Sequence, residues 1–329
     1  MATEDVLDLK APRLPQPVDR MAKGMTGAVE PDDGWHTWRP EPGWLYLALP
    51  ESTYHRSPGV SKSGLDLIGV RKSNRGGSPM HYQWEQEHPG EPTEAMSVGS
   101  ALDCLLFEPK EFDKRFIVDD TGLHRNSNAW KKEWVPNVAK GREILRVPQW
   151  DNIRRMQDAC LNHEVIDMLL ADGWAQPSAY WVDATDRGDY YGEEAPKPTY
   201  RLCRGRMDWV CLGHSVAVDL KKTQDATYTK LQRTVADYRY HTQAAFYLEG
   251  LRCTGHPVDF FIFLFVEEQP PHGINLVELD RPWIQLGTRL WQRDIETYSQ
   301  CIESGEWPSY PPGPRVLEMP AWAERVPTA

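Results

Sequence analysis

RGRMDWVCLGHSVAVDLKKT, residues 204–223, is the stretch on which the reading of this chain turns. It lies across two β-like runs, Arg201–Cys211 and Ser215–Leu220, joined by the tight Leu212–Gly213–His214 connection, and so predicts a β-hairpin. Side chains two apart on a strand share a face, so Asp219 and Lys221 point the same way while Leu220 turns into the core. Across the hairpin, Asp208 can reach that same face. Two carboxylates at one point make a hard, oxygen-rich site suited to Mg²⁺ or Mn²⁺, and an adjacent lysine adds a positive charge. Phosphodiester hydrolysis needs this equipment: activated water, neutralised phosphate charge and a cation facing the pentacovalent transition state. An Asp-x-Lys triplet alone also occurs by chance on solvated hairpins. The upstream Asp208 on a paired strand and the apolar approach Ser215–Val218 add weight to the chemical reading.

Downstream, a helix is expected from about Thr234 to Leu251, with Tyr240, Gln243 and Tyr247 on one side and Ala244, Ala245 and Leu248 supplying packing surface. Gln243 could bond a metal-bound water or a phosphate; taken in isolation, a Gln at a helix rim beside two core tyrosines is the favoured reading. Val258–Val266 is a strongly apolar run that belongs in the middle of a sheet, followed by a strand at Ile274–Leu279 and a helix from Pro282 to Glu303. Upstream, Ser178–Val182 reads as a strand preceding a polar loop over 186–198. Val98, Ala101, Leu102, Leu105 and Leu106 recur at helical spacing, which places Asp103 on a buried helix. Residues 124–147 are basic and helix-prone, and Trp150–Leu170 predicts one amphipathic helix. Ser61 or Ser63 can cap a short helix through Gly64–Val70, ahead of a basic loop over 71–82. No internal repeat is present. The alternation of strands and helices predicts an α/β (α+β) chain, a central mixed β-sheet flanked by helices.

The 329 residues, 40% hydrophobic and 26% charged, suffice for a substantial core. No apolar run approaches the roughly 20 residues of a membrane span, and the N-terminus has no signal-peptide pattern, so a soluble, cytoplasmic protein is expected. The six cysteines lie far apart, as reduced thiols would, rather than at metal-ligand spacing. A net charge of −11 argues against indiscriminate polyanion binding but allows basic groups to line one channel. Basic residues cluster at Arg71, Lys72 and Arg75, at Lys131 and Lys132, at Arg201, Arg204 and Arg206, and from Lys221 and Lys222 to Arg233 and Arg239. Arg204, Arg206, Lys222 and Arg239 flank the hairpin and are the candidate DNA contacts.

Taken in order, SKSGL (61–65), GSALDCLLFEPKEF (99–112), RGRMDWV (204–210), VDLKKT (218–223) and YHTQAAFYLEGL (240–251) resemble the RecE-type, exonuclease VIII-like branch of the PD-(D/E)XK nucleases, a group related to the RecB nuclease domain. The resemblance spans roughly residues 50–320. It implies a restriction-endonuclease-like core over 46–320, with a helical part at 61–170 and a catalytic sheet core at 176–303. This core lies between a poorly ordered arm, 1–45, and a Pro-rich C-terminal segment, 304–329. It further implies that Asp208 and Asp219 bind metal, that Lys221 is the catalytic lysine, and that Gln243 and Tyr247 form the family's helix motif. Thr223 matches a family threonine. Three positions depart from the family pattern. Asp103 stands where a histidine ligand is usual, Gln176 where glutamate is common, and Lys222 where threonine is common. Asp103 as third ligand would harden the site toward one or two Mg²⁺ or Mn²⁺ ions.

The resemblance also implies a ring-like homo-oligomer in a bacterial host cell that degrades linear duplex DNA from the 5′ strand. The 3′ single strand left behind would pass to an annealing recombinase in phage-type recombination. An endonuclease or single-strand nuclease of the same fold, and a catalytically weakened DNA-binding protein, are the alternatives.

Overall fold

In the run Phe260–Glu267, Phe261, Phe263 and Phe265 face one side and Ile262, Leu264 and Val266 the other, and all six are buried. A strand covered on both faces must sit inside a sheet with layers above and below it. The computed structural model, which describes residues 25–26, 39–69, 77–88, 90, 93–138, 141–183, 199–310 and 313–319, is built around this strand. Arg71, Lys72 and Arg75, the loop at 186–198 and most of the expected arm (1–24 and 27–38) lie outside the described residues, as does the last part of the C-terminal segment, 320–329.

The strands are β1 (Met25–Thr26), β2 (Trp44–Tyr46), β3 (Val60–Ser61), β4 (Phe116–Asp119), β5 (Glu143–Arg146), β6 (Trp174–Ala175), β7 (Ser178–Val182), β8 (Leu202–Arg206), β9 (Trp209–Cys211), β10 (Val216–Thr223), β11 (Phe260–Glu267) and β12 (Ile274–Glu278). The helices are α1 (Glu51–Arg56), α2 (Lys62–Ile68), α3 (Pro79–Glu87), α4 (Glu94–Phe107), α5 (Phe112–Arg115), α6 (Asn128–Val138), α7 (Val147–Leu161), α8 (Glu164–Leu170), α9 (Tyr228–Asp237), α10 (Tyr240–Cys253) and α11 (Arg281–Ser304). Side-chain caps begin several of them: Ser61 accepts from Gly64 N, Ser78 from His81 N, Thr93 from Met96 N and Asp280 from Trp283 N.

The central sheet has the order β12-β11-β10-β9-β6, with β10 and β11 parallel and the remaining pairs antiparallel. A second sheet has the order β1-β2-β7-β8-β3, so residues 44–46 pair with Ser178–Tyr180, and β4 and β5 form a small parallel pair. One face of the central sheet carries the phenylalanines of β11, Ala217 and Val210, packed on Ala244 and Phe246 of α10 and Trp291 and Ile295 of α11. The other face carries Val216, Val218, Ile262 and Leu264, covered by Leu102 of α4, Ile153 and Met156 of α7 and Leu169 of α8. This is the expected mixed sheet flanked by helices. The six cysteines are free thiols, five of them buried, and no helix among the described residues is long and apolar enough to cross a membrane.

Several elements differ from expectation. The run Arg201–Cys211 is two strands, β8 and β9, separated at Met207–Asp208 and paired in different sheets. Trp150–Leu170 is two helices broken at Asn162–His163, and the expected helix from Thr234 is α9 and α10 broken at Tyr238–Arg239, where Arg239 takes the left-handed φ of 57°. Part of the expected loop at 71–82 begins α3, because Ser78 and Pro79 are good N-cap and N1 residues. Glu143–Arg146, in the basic helix-prone stretch, is a strand because Phe116–Asp119 offers it a parallel partner.

The two helices α10 and α11 meet closely at Gly287 of α11, where a side chain would strike the backbone of His241 and Thr242 in α10. Backbone cannot move aside as a flexible side chain can. Gly287→Ala is therefore expected to destabilise the protein by about 1–3 kcal/mol, measured as a lower urea midpoint. A midpoint equal to wild type would show that the two helices are not in this close contact.

Candidate active site

Residues 174–182 and 202–211 run antiparallel as one ribbon that leaves the central sheet as β6 and β9 and enters the second sheet as β7 and β8. The crossing is held by Gln176 N donating to Asp208 O (2.9 Å) and Met207 N donating to Pro177 O (3.1 Å). Gln176 adopts φ of 53° there, and Pro177 has no N–H to give. Such interruptions re-aim side chains at a sheet rim. Asp208 lies one step beyond the Val218–Trp209 pair, and its carboxylate accepts a hydrogen bond from Leu220 N at 2.8 Å.

Asp219 and Lys221 share the α10 face of β10, as alternation requires. Asp219 is 1% exposed; its Oδ1 accepts from the Gln243 amide and its Oδ2 forms an ion pair with Lys221 Nζ. The Lys221 ammonium also lies over the Tyr240 ring, 5.1 Å from its centroid. Burial would lower the Lys221 pKa, but the negative charges of Asp219 and Asp208 prevail and hold it above the ordinary lysine range. Asp208 is pushed up to about 7, by burial first and then by the charge of Asp219. Asp103 lies well above the usual carboxylate range, by burial and then by the charge of Asp208. Tyr247, 6.2 Å from Phe261 between ring centroids, is held neutral by burial and neighbouring acidic groups, Asp219 and Asp208 among them.

A cleft of about 270 Å³ opens at this end of β10, lined by Asp103, Gln176, Asp208, Leu220, Lys221 and Lys222, with Glu51, Gly99, Ser100, Leu102 and Arg115 completing its wall. It brings Asp103 from one helical layer to Asp208 and Lys221 on the sheet, while Gln243 approaches Asp219 from the other layer. Gln176 donates to Asp103 Oδ2 at 2.7 Å, so the amide at this position bridges α4 and the ribbon. Sequence reading overlooked Glu51 and Arg115. The Arg115 guanidinium is 2.8 Å from Glu51 and 3.3 Å from Glu108, and the charged stretch after the α4 motif is the only hint of it in the sequence.

The four candidate DNA contacts fare differently. Lys222 lines the cleft and pairs with Glu268 at 2.7 Å. Arg204 is bound to the carbonyls of Tyr54, His55 and Ser57. Arg206 donates to Gln176 Oε1 (3.0 Å) and Leu49 O (2.8 Å). Both arginines tether the segment around α1 to the ribbon. Arg239 must be corrected: it is 4% exposed, its guanidinium paired with Asp294 and 3.5 Å from Asp66, so it cannot meet a phosphate. Removing one partner of a buried ion pair leaves the other uncompensated. Arg239→Met should cost about 3–5 kcal/mol of stability, read by denaturant unfolding; an unchanged midpoint would refute the structural role.

Among the described residues, no three His, Cys, Asp or Glu side chains are arranged to hold a metal ion together. Asp219 is turned to Gln243 and Lys221, Asp208 to the Leu220 amide, and one oxygen of Asp103 to Gln176. The donor chemistry nevertheless suits a hard cation. Asp103 Oδ1 is buried without a hydrogen-bond partner; burial and then the charge of Asp208 raise the Asp103 pKa, while burial and then the charge of Asp219 raise that of Asp208. A folded-state pKa raised above the unfolded value means stability is fully present below the unfolded value, near 3.9 for Asp, and lost as pH rises through the folded one. Metal-free protein should therefore lose thermal stability between pH 4 and about 7 through Asp208, and Asp208→Asn should flatten that slope. Melting curves in EDTA from pH 5 to 8 test this; parallel slopes for the two proteins would remove Asp208 as the cause.

Residues 77–313 match the model of a family described as a PDDEXK-like domain of unknown function (DUF3799). The crystal structure of a "Putative exonuclease" from Eubacterium rectale superposes with a TM-score of 0.55 at 15% identity, covering 83% of this chain and 96% of that one. At that identity the likeness is one of fold. No curated protein matches the chain. With the family model covering well over half its length, the chain belongs to this PDDEXK-like family and so to the PD-(D/E)XK nuclease superfamily.

Proposed function

We propose that the protein is a metal-dependent nuclease that hydrolyses phosphodiester bonds of DNA. The observation that carries this reading is the meeting of Asp103, Asp208 and Lys221 in one cleft, with Asp219 fixed behind them by Gln243. Asp103, Asp208 and Asp219 would hold one or two Mg²⁺ or Mn²⁺ ions. When bound, such ions activate water and neutralise phosphate charge.

The chain's own groups have definable parts. Lys221, whose ammonium pairs with Asp219 Oδ2 and lies over the Tyr240 ring, faces the scissile phosphate as a fixed cation, where developing charge is stabilised without reorganisation. Gln243 keeps Asp219 from rotating, since its amide occupies Oδ1. Tyr247, whose hydroxyl burial keeps protonated, retains a proton to donate. Lys222 and Arg115 give the cleft its remaining positive charge, while Gln176 and the Leu220 amide orient Asp103 and Asp208.

The finer reading follows the ordered motifs of the RecE-type branch. The enzyme would be an exonuclease on linear duplex DNA, running 5′ to 3′ in phage or prophage recombination in the bacterial cytoplasm. It would work as a ring-like homo-oligomer whose inner channel is more basic than its acidic exterior, and hand its 3′ strand to an annealing recombinase. A second reading, a DNA-binding protein with weakened catalysis, is favoured by the absence of a three-carboxylate metal arrangement among the described residues.

Incubation with Mg²⁺ or Mn²⁺ should degrade linear plasmid and spare covalently closed circles. Cutting of circles would instead support an endonuclease, and binding without any cleavage the weakened-catalysis reading. Lys221→Ala and Asp219→Asn should each reduce cleavage by at least about 100-fold, the scale for loss of a transition-state electrostatic partner, while remaining folded by circular dichroism. Wild-type rates in either variant would overturn the site.

A further inference from the structure

The junction between α9 and α10 is an unusual piece of backbone. Arg239 takes the left-handed φ of 57° and turns its side chain into the protein, against Asp294. Its neighbours Tyr238 and Tyr240 stack on each other, with ring centroids 5.7 Å apart and planes inclined by 20°. Tyr240 is the inner ring. It lies on Phe263 at 5.5 Å and supports the Lys221 ammonium at 5.1 Å.

Tyr238 is the outer ring and is 56% exposed. Its backbone is anchored, since its N–H donates to Thr234 O at 3.0 Å and its carbonyl accepts from Lys62 Nζ at 3.5 Å. An aromatic surface is thus presented to water on a fixed support beside the lysine at the centre of the site. Lys221, which lines the cleft, lies over the inner ring, although it also has a carboxylate partner in Asp219. An exposed ring with a cation behind it suits a nucleotide, which offers a π-face and a phosphate together.

We propose that Tyr238 is a stacking platform for an unpaired base of the DNA strand whose phosphate lies at Lys221. The proposal rests on the nuclease reading and adds to it a preference among DNA structures. Bases inside a duplex already have neighbours on both faces and cannot use the ring. A frayed, terminal or single-stranded base can, and with stacked bases rising ~3.4 Å per step, the ring is within reach of bases a few positions from that phosphate. Tyr238 would favour strand ends and single-stranded stretches over continuous duplex.

The test is binding of a single-stranded oligonucleotide carrying 2-aminopurine, and of a blunt duplex of the same sequence, to full-length protein in EDTA and again in Ca²⁺. Wild-type protein should bind the single strand and quench the fluorophore. Tyr238→Ala should weaken single-strand binding by roughly 5- to 100-fold, the range for losing one base–aromatic stack, and abolish the quenching. Tyr238→Phe and Tyr238→Trp should stay near wild type, duplex affinity should change far less, and the melting temperature of Tyr238→Ala should remain that of wild type. Unchanged single-strand binding by Tyr238→Ala, or equal losses on both DNAs, would overturn the stacking role while leaving the nuclease reading intact if wild-type protein still cleaves. Failure of wild-type protein to bind either DNA would overturn both.

Discussion

Like charges buried side by side repel, and the carboxylates at the end of β10 set the requirement that their surroundings meet. Burial and the charge of Asp208 raise the affinity of Asp103 for a proton, and burial and the charge of Asp219 do the same at Asp208. The protein offsets this with donors from β10, the ribbon and α10: the Leu220 amide, the Gln176 and Gln243 side chains, and the Lys221 ammonium. Gln176 has special weight, because an amide at this position donates to Asp103 where a carboxylate would have added a further repulsion. Asp103 and Gln176 are therefore a matched pair. A carboxylate on α4 is tolerable next to Asp208 because its neighbour on the ribbon is uncharged.

How much of this could be read from residues alone depended on the range of the interaction. Asp219 and Lys221 are two apart on one strand, so alternation alone placed them together, and the apolar pattern of β11 alone placed it in mid-sheet. The break at Met207–Asp208 was not legible, because its hydrogen bonds run to Gln176 and Pro177, remote in sequence. Arg239 misled for the same reason. In sequence it belongs to a basic cluster beside the hairpin, and only the packing of α2 and α11 reveals Asp66 and Asp294 as its partners. The helix break beside it follows from that burial, since a continuous helix would have carried the guanidinium to a different face.

Arg204 and Arg206 show how a basic stretch can serve folding instead of a ligand. Their guanidinium groups also lie near the Tyr54 ring, at 5.1 and 5.8 Å, so the segment around α1 is bound to the ribbon through both carbonyls and an aromatic face. That segment contributes Glu51 to the cleft wall. The two arginines thus shape the cleft without facing it.

The ribbon that crosses between the sheets has one more consequence. Because β6–β9 and β7–β8 are two halves of the same pair of strands, the sheets cannot twist or slide independently without breaking hydrogen bonds at the bend, where Gln176 and Asp208 sit. Alignment of the cleft is therefore inherited from a hydrogen-bonded joint of the scaffold, and its mechanical tolerance is that of a backbone ladder, not of a surface loop.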